Sequence, residues 1–495
     1  MLRTGVAVLF ATALGATAFH ASAAAPSASA VIAAASKAMG ADNLNSIKIY
    51  GVAANYNVGQ NNNANGEWPR TNLNDYYRWI DFNAGASRAT AQTFAPPVTG
   101  PTAVAGRFNQ AISPTQNGWA QQSEIWTTPW GFLKGAAKNN ATVATEKVGA
   151  RTMKVVTWNT PQKAPSGKAY KVVGYIGPSN MVERVDTWIE NPVLGDMLVR
   201  SNYSEYREVD GVKFPAKIVR VSAGQTSFDA QLLGADANPT DLAANITNPP
   251  PAGGGAGGPP GGGGGGAAAA PPPSTQLAPD VYKINGAYNA VAVGFKDYVV
   301  LFEAGPQNEA RALAVIAETK RLFPGKTIKY GVITHHHFDH TGGIVAPVSE
   351  GITIVTPAVN KAFLMRALTT PRTLAPDAMS KSGKKPIIEG FTGDKRVFSD
   401  ANHSLEVHVV KGLPHADGIV IGWLPKEKVL IYADMFNLPT AADPVPNPPV
   451  VGTQIFLANL ERLGIEPERI VSIHALNPDR LTSMADIRAS LGIKK

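Results

Sequence analysis

The stretch VITHHHFDHTGG, Val332 to Gly343, is the most informative part of this sequence. It places four histidines and one aspartate within six residues, directly after an apolar run. Neutral imidazole and carboxylate are the usual nitrogen and oxygen ligands of zinc and its neighbours, so this crowding indicates a metal site. The alternative is a solvated polar loop.

The composition is that of a folded protein with more than one domain. The chain has 495 residues, of which 44% are hydrophobic and 17% charged, so two or three domains with apolar cores are expected. The net charge is +8, but lysine and arginine form no long basic run, so we expect no nucleic-acid partner. The sequence has no cysteine, which excludes disulfides and thiolate ligands.

The first residues, MLRTGVAVLFATALGATAFHASAAAP, have the three parts of a secretory signal peptide. Arg3 supplies the positive charge, an apolar core runs from Gly5 to Phe19, and residues 21–23 form an A-x-A cleavage pattern. We therefore predict a signal peptide over residues 1–23 and export, to the periplasm or the medium. An uncleaved anchor is the alternative, and no membrane span is expected after cleavage.

A Gly, Pro and Ala segment, NPPPAGGGAGGPPGGGGGGAAAAPPPS, divides the chain. Such a segment has no side chains to bury and loses much backbone entropy if ordered. It indicates a flexible linker over residues 248–276 that lets two domains move independently. The predicted domains are a β-rich accessory domain over residues 24–247 and a second domain over residues 277–495.

The accessory domain is predicted to be mainly antiparallel sheet after one short helix. The helix is expected at SAVIAAASKAMG, closed by Gly40. Runs such as TMKVVTW and AYKVVGYI have the alternation and β-branched residues of strands. No histidine lies between Ala24 and Gln276, so no catalytic metal site is expected here. The segment YREVDGVKFPAKI resembles periplasmic lipoprotein-carrier domains that hold apolar ligands; a sheet that only packs or docks is the alternative.

The second domain alternates strands with helices. Strands are expected at VYKI, AVAVGF, YVVLFEAG and TIKYGVIT, and a helix at PQNEARALAVIAETKRLF with Pro306 in its first turn. Further strands are expected at ITIVT, LEVHVV, GIVIGWL, KVLIYA and RIVSI, and helices at PAVNKAFLMRAL, TQIFLANLERLG and RLTSMADIRASLG. This order fits sheet layers covered by helices on the outside.

Chemistry-bearing residues follow several of these strands. His415 comes after LEVHVVKGLP, Asp434 closes KVLIYAD and His474 closes RIVSIH. Loops that leave the same edge of a packed sheet converge on one place, so we expect these residues to meet the cluster around His337.

The segment THHHFDH matches the T-H-x-H-x-D-H signature of the metallo-β-lactamase superfamily, and His415, Asp434 and His474 follow in that family's order. The chain thus resembles this superfamily over residues 277–495. The resemblance implies an αββα sandwich with a metal cleft at one edge, generally for two ions. The expected fold class is therefore α/β, with this sandwich preceded by a mainly antiparallel β-sheet domain.

The resemblance also implies the metal ligands. They are His335, His337 and His415 for the first ion, Asp339, His340 and His474 for the second, and Asp434 as the bridging carboxylate. His335 and His337 are two residues apart, so in an extended stretch they project to the same side, whereas His336 projects to the other. We expect His336 to support the site or to pack beside it.

This ligand set implies a metal-dependent hydrolase. The resemblance implies two divalent ions, with zinc expected and manganese or iron as alternatives. They would share a water and lower its pKa, which supplies a metal-bridging hydroxide as nucleophile. Asp339 is the expected catalytic residue because it would coordinate the second ion and orient the hydroxide. The expected partner is a small-molecule substrate with an ester, thioester, lactone, amide or phosphate bond.

Other functions stay open at this point. One is a mono-iron oxidoreductase that resembles sulfur dioxygenases, and another is a β-lactamase. The bridging aspartate and the absence of cysteine resemble the type-II glyoxalase, lactonase and phosphodiesterase branches more closely. A third alternative is a binding protein with a purely structural metal.

Other positions of the second domain carry smaller expectations. Glu303 replaces the aspartate common at that family position, which puts the supporting hydrogen bonds of the site in question. His403 and His408 are expected at the surface of a sheet. The basic insertion Thr369–Pro386 is expected to be a solvated loop; the alternative is that Arg372 and its three lysines, Lys381, Lys384 and Lys385, cover the cleft and meet an anionic substrate.

Overall fold

The computed structural model describes residues 27–95, 104–115, 117–246, 271–437, 445–476 and 479–493. The predicted signal peptide, residues 1–23, and most of the predicted linker, residues 248–276, lie outside the described residues. Export and the exact domain boundaries therefore stay predictions. None of the described helices is long and apolar enough to cross a lipid bilayer.

The N-terminal domain contains one large antiparallel sheet, as predicted, and four short helices among its described residues, where one was expected. Its strands are β1 Ser46–Tyr56, β2 Arg70–Asp81, β3 Ala86–Ala95, β4 Val104–Ile112, β5 Thr142–Val148, β6 Arg151–Lys163, β7 Ala169–Ile176, β8 Val182–Asn191, β9 Gly195–Val209, β10 Val212–Ser222 and β11 Gln225–Ala237. Its helices are α1 Ala28–Met39, α2 Trp119–Trp126, α3 Pro129–Lys138 and α4 Leu242–Ile246. The spatial order of the 11 strands is β4-β3-β2-β1-β11-β10-β9-β8-β7-β6-β5.

Local sequence accounts for these elements. Along β9, Met197, Val199, Ser201 and Tyr203 are buried while the residues that alternate with them are only partly buried, which is the period of a half-buried strand. Helix α1 begins after Ser27, whose hydroxyl accepts a hydrogen bond from the Ala30 amide. It ends at Gly40, where φ is +65° and a Cβ would lie 2.0 Å from a backbone oxygen, so only glycine fits.

A buried ionic cluster ties helix α2 to the sheet. Arg78 of β2 donates to Glu124 of α2 at 2.6 Å and to Gln110 of β4 at 2.6 Å, and Arg220 of β10 lies 3.4 Å from the same carboxylate. Burial alone would raise the pKa of Glu124, but the Arg78 and Arg220 guanidinium groups outweigh it and lower the pKa to about 2. The carboxylate therefore stays charged over almost the whole pH range.

We predict that the N-terminal domain loses stability in acid because of this cluster. The folded pKa of Glu124 lies below its ordinary value of 4.5, so its contribution is complete above about pH 4.5 and is lost as the pH falls towards 2. Glu124→Gln should lower the free energy of unfolding at pH 7 by about 3 kcal/mol, because it leaves buried guanidinium groups uncompensated. Urea unfolding at a series of pH values measures both effects.

The matched control is Glu183→Gln, which removes a carboxylate from the exposed ion pair with Arg151. It should change the unfolding free energy little, since exposed pairs contribute little. Equal losses in the two variants, or an unfolding free energy that does not fall below pH 4.5, would contradict the assignment.

The C-terminal domain has two sheets. The strands of the first are β12 Ser274–Ala278, β13 Val281–Ile284, β14 Ala290–Gly294, β15 Tyr298–Phe302, β16 Thr327–Val332, β17 Thr353–Pro357 and β18 Ile388–Phe391. Those of the second are β19 Lys395–Ser399, β20 Ser404–Val409, β21 Val420–Leu424, β22 Val429–Tyr432 and β23 Arg469–Ser472. The helices are α5 Glu309–Leu322, α6 Phe338–Thr341, α7 Val345–Glu350, α8 Ala358–Thr369, α9 Ala378–Ser382, α10 Val451–Leu463 and α11 Met484–Ser490.

These elements form the predicted αββα sandwich. Both sheets keep their strands in chain order, and β15 to β18 and the pair β22–β23 run parallel. Val291, Phe302 and Val407 belong to the apolar layer between the sheets. Val315 of α5 and Leu364 of α8 are buried on the outer face of the first sheet, while α10 and α11 cover the second. The fold-class prediction is therefore confirmed.

Three local expectations for this domain are wrong. Helix α5 begins after Asn308, whose side chain accepts from the Arg311 amide, so Pro306 lies before the helix and not in its first turn. His403 and His408 are buried, with 6% exposure each, and not at the surface. Each is compensated by a carboxylate, since His403 lies 2.8 Å from Glu427 and His408 lies 2.6 Å from its near neighbour Glu406.

The two domains are packed together. Val193 of the N-terminal domain forms an apolar cluster with Phe338 and Ala367 of the C-terminal domain. Arg372 donates to the Pro192 and Val193 carbonyls at 2.9 and 2.7 Å and is 7% exposed, so its expected place in a solvated loop is wrong. The lysines of the same insertion are exposed. The expectation of independently moving halves is wrong as well, because polar and apolar contacts join them.

Candidate metal centre

The seven candidate ligands meet at one edge of the sandwich, and each follows a strand. His335 and His337 lie in the loop after β16, Asp339 and His340 in α6, His415 after β20, Asp434 after β22 and His474 after β23. The carboxyl ends of neighbouring strands bring loops from distant parts of the chain to one place. The convergence expected from the sequence is what the structure has.

The ligands fall into two adjacent groups. His335, His337 and His415 form the first group, in which the ring centroid of His337 lies 4.5 Å from each of the other two. The second group consists of Asp339, His340, Asp434 and His474. Within each group, one candidate ligand atom per residue lies within 4.8 Å of the others, which is close enough for one ion to contact them all after small side-chain adjustments.

Asp434 contacts both groups. Its Oδ2 lies 2.9 Å from His340 Nε2 and 3.6 Å from His335 Nε2. Its Oδ1 lies 2.9 Å from His474 Nε2 and 3.9 Å from His415 Nε2. One carboxylate therefore stands between the groups, which is the position that a bridging ligand needs. The backbone of Asp434 is left-handed, with φ +59°, so this position is conformationally strained.

Glu303 supports His340 from behind. Its Oε1 lies 3.1 Å from His340 Nδ1, and its Oε2 accepts a 2.6 Å hydrogen bond from the Thr334 hydroxyl. A carboxylate at Nδ1 holds the proton there and directs the Nε2 lone pair into the cleft. The glutamate that departs from the family pattern thus makes the supporting contact that its position requires.

Buried nitrogens without partners show that these residues fit a metal. His335 Nε2 and His415 Nε2 are buried and have no hydrogen-bond partner among the described residues. A buried polar atom without a partner is costly, and both atoms face Asp434. A divalent cation would accept their lone pairs, so the donor set suits a metal.

The charges of the two groups differ. Burial lowers the pKa values of His335, His337 and His415, to about 3 for His337, so these rings are neutral and ready to bind a cation. Burial alone would also lower the pKa of His340, but the carboxylates of Asp434, Glu303 and Asp339 raise it well above its ordinary value. The second group is therefore rich in negative charge, which favours a cation there.

Three contacts to the ligands come from residues that the sequence did not predict. Gln60 of the N-terminal domain donates to Asp339 Oδ1 at 2.9 Å, and the Tyr288 hydroxyl donates to Asp339 Oδ2 at 3.0 Å. The Asn61 carbonyl lies 3.0 Å from His337 Nε2 and 2.7 Å from Nε2 of His336, which belongs to neither group. Gln60 and Asn61 lie about 275 residues before the histidines in the sequence, and no motif or residue spacing links the two segments.

The cleft opens on the side of the second group. The side chains of His474 and Asp339 are 33% and 28% exposed, whereas that of His335 is fully buried. A small molecule would therefore approach the site past Asp339 and His474.

A family model described as the metallo-beta-lactamase superfamily matches residues 285–456, a range that holds every candidate ligand except His474. Over these residues the chain is similar to the metallo-beta-lactamase superfamily. Members of the metallo-beta-lactamase superfamily are generally hydrolases, and their fold usually binds metals. The match covers about a third of the chain and leaves the N-terminal domain outside.

Solved metallo-beta-lactamase structures are similar to about half of this chain. One, from Pontibacter korlensis, has 18% identity, covers 45% of this chain and 97% of its own, and has a TM-score of 0.32. Another, from Hirschia baltica, has 15% identity, coverages of 45% and 98%, and a TM-score of 0.32. FIM-1 from Pseudomonas aeruginosa, in its mono-zinc form, has 16% identity, coverages of 46% and 96%, and a TM-score of 0.32. The comparison with curated proteins found no match.

We predict that Glu303→Ala weakens metal binding at the second group. The substitution removes the acceptor that fixes the His340 ring, and loss of such a contact typically costs about 10- to 100-fold in metal affinity. Competition with a chromophoric chelator measures the affinity. His403→Gln is the control, because it alters a buried histidine–carboxylate pair of the same domain away from the cleft; an equal loss there would contradict the prediction.

Proposed function

We propose that this chain is an exported metal-dependent hydrolase that cleaves an ester, thioester, lactone, amide or phosphate bond in a small molecule. The observation that carries the proposal is the position of Asp434 between two complete groups of candidate ligands. Seven ligands exceed the four of a closed structural zinc site, so a structural metal alone does not account for them. The signal-peptide pattern of residues 1–23 supports export.

Two divalent ions in these groups, zinc in the first instance, would supply a water of lowered pKa as nucleophile and polarise a substrate oxygen. The chain's own residues then set the geometry. Asp339 is held at both carboxylate oxygens, by Gln60 and Tyr288, at the open side of the cleft. A carboxylate fixed in this way is placed to orient a nucleophilic water.

Tyr288 is the further polar group at the mouth of the cleft. Its ring centroid lies 4.6 Å from that of His474. Burial, with the neighbouring Asp339 carboxylate, raises the pKa of Tyr288, so the hydroxyl stays protonated and acts as a donor. This donor fixes Asp339 and faces the side from which substrate enters.

We predict about two zinc ions per chain in protein purified without added metal. Two groups of neutral imidazoles and carboxylates provide two sets of ligands, and Asp434→Asn should lower the content to one ion or fewer because it removes the charge shared by both groups. Elemental analysis after gel filtration measures the content. A single iron per chain would replace this proposal by the sulfur-dioxygenase-like alternative.

We predict that Asp339→Ala lowers turnover by about 10²-fold or more, because the substitution removes the carboxylate that would position the nucleophilic water, and a misplaced reacting group typically costs about that much. The assay is a panel of chromogenic lactone, thioester, phosphodiester and cephalosporin substrates. Asp394→Ala, at an exposed carboxylate paired with Lys411, is the control and should retain full activity. Retained turnover in Asp339→Ala would contradict the mechanism, and turnover of the cephalosporin alone would identify a β-lactamase.

A further inference from the structure

The loop between β1 and β2 of the N-terminal domain, residues 57–69, reaches the metal centre of the other domain. We call it the Asn loop, because its residues 57–65 read NVGQNNNAN. Its backbone begins the contact at Gly59, whose carbonyl accepts a 3.2 Å hydrogen bond from the Phe338 amide. Phe338 lies between two candidate ligands, His337 and Asp339, so this contact reaches the ligand segment directly.

Close approach at this point requires glycine. Gly59 has φ +81°, and a Cβ there would lie 2.2 Å from Cγ of the Phe338 ring. The ring is 5% exposed and packs against Val193 and Ala367 from both domains. Any side chain at position 59 would therefore push the Asn loop away from the ligand segment.

The Asn loop contacts two candidate ligands directly. Gln60 Nε2 donates to Asp339 Oδ1 at 2.9 Å. The Asn61 carbonyl accepts from His337 Nε2 at 3.0 Å, which places the proton on Nε2 and leaves Nδ1 as the nitrogen with a free lone pair. Outer hydrogen bonds of this kind fix which ring nitrogen binds a metal and in what orientation.

The Asn loop also contacts the segment around His415, which supplies another candidate ligand of the first group. Asn62 donates to the Pro414 carbonyl at 2.7 Å and accepts at its own carbonyl from the Asp417 amide at 2.6 Å. Asn63 donates to the Asp417 carboxylate at 3.0 Å. The Asn loop is therefore a clamp that joins the His337 and His415 segments, two parts of the same group of ligands.

The loop is built to be rigid. The Asn61 side chain is 4% exposed and donates back to the Asn63 and Gly66 carbonyls, which closes the loop on itself. A loop held rigid by its own hydrogen bonds loses little conformational entropy when it packs against the other domain. It can therefore fix the positions of the residues that it contacts.

From this geometry we infer that the N-terminal domain is part of the active site, with Gln60 and the Asn61 carbonyl as positioning groups that fix Asp339 and the metal-binding nitrogen of His337. The inference rests on the proposed function, because it assigns a role towards the same metal centre. It also replaces the view of the sheet domain as an independent carrier: the domain completes the catalytic centre.

The test compares full-length variants in metal affinity, in the visible spectrum of the Co²⁺-loaded protein and in thermal stability without metal. Gln60→Ala removes the donor to Asp339, and we expect about tenfold weaker binding of one metal equivalent and an altered Co²⁺ spectrum. Gly59→Val displaces the whole Asn loop and should cause a larger loss for both equivalents. Neither effect requires a substrate to be known.

The matched control is Asn65→Ala. Asn65 lies on the same loop and bonds Arg366 of the other domain at 2.6 Å, but it contacts no candidate ligand. Its metal affinity and Co²⁺ spectrum should equal those of the wild type. If Gln60→Ala matches the wild type in both readouts, or if Asn65→Ala loses as much as Gln60→Ala, the inference is overturned.

Failure of this inference is distinguishable from failure of the proposed function. Wild-type protein that binds no pair of divalent ions overturns the proposed function and this inference with it. Wild-type protein that binds the pair, together with a Gln60→Ala variant that binds it equally well with the same spectrum, overturns the inference alone. If Gly59→Val fails to fold, Gln60→Ala still tests the inference, since it removes one side-chain hydrogen bond and leaves the backbone unchanged.

Discussion

The crowding of imidazoles and carboxylates around Asp434 is the constraint on which this structure depends. Four histidine nitrogens lie within 4 Å of its two oxygens, and two of those nitrogens have no other partner in the part of the chain that the structure describes. Such an arrangement is unfavourable unless positive charge is present among the carboxylates. The fold holds the loops after four strands in the positions that bring these side chains together. The sandwich therefore acts as a scaffold for a cluster of carboxylates and imidazole nitrogens.

The sequence predicted this centre because its strands are strongly apolar and its ligands come directly after them. Asp434 and His474 each follow a short buried strand, β22 and β23, and the order of elements leaves few ways to arrange such strands. The burial of His403 and His408, in contrast, was not predicted from the sequence. A histidine paired with a nearby glutamate can be buried, and the sequence contains no sign of which glutamate will supply the partner.

In the N-terminal sheet as well, only some of the strands could be predicted from the sequence pattern. Strands with alternating, β-branched sequence, such as β6 and β7, were predicted, whereas β2, β3, β4 and β5 were not. In β5 nearly every residue is exposed or half-buried, and β2 has no regular alternation, so these strands are defined by pairing with their neighbours and not by burial. The docking of Gln60 and Asn61 depends on the relative placement of two domains, which no local periodicity encodes.

At Asp434, the left-handed backbone and the negative charge of the side chain place different requirements on the residue type. Asparagine and aspartate tolerate that conformation better than other residues with a side chain, and they are nearly equal in size. Replacement by asparagine would keep the polypeptide path intact while it abolishes the negative charge. The backbone conformation therefore accounts for a short polar residue at this position, and the charge between the two groups of candidate ligands accounts for the acid.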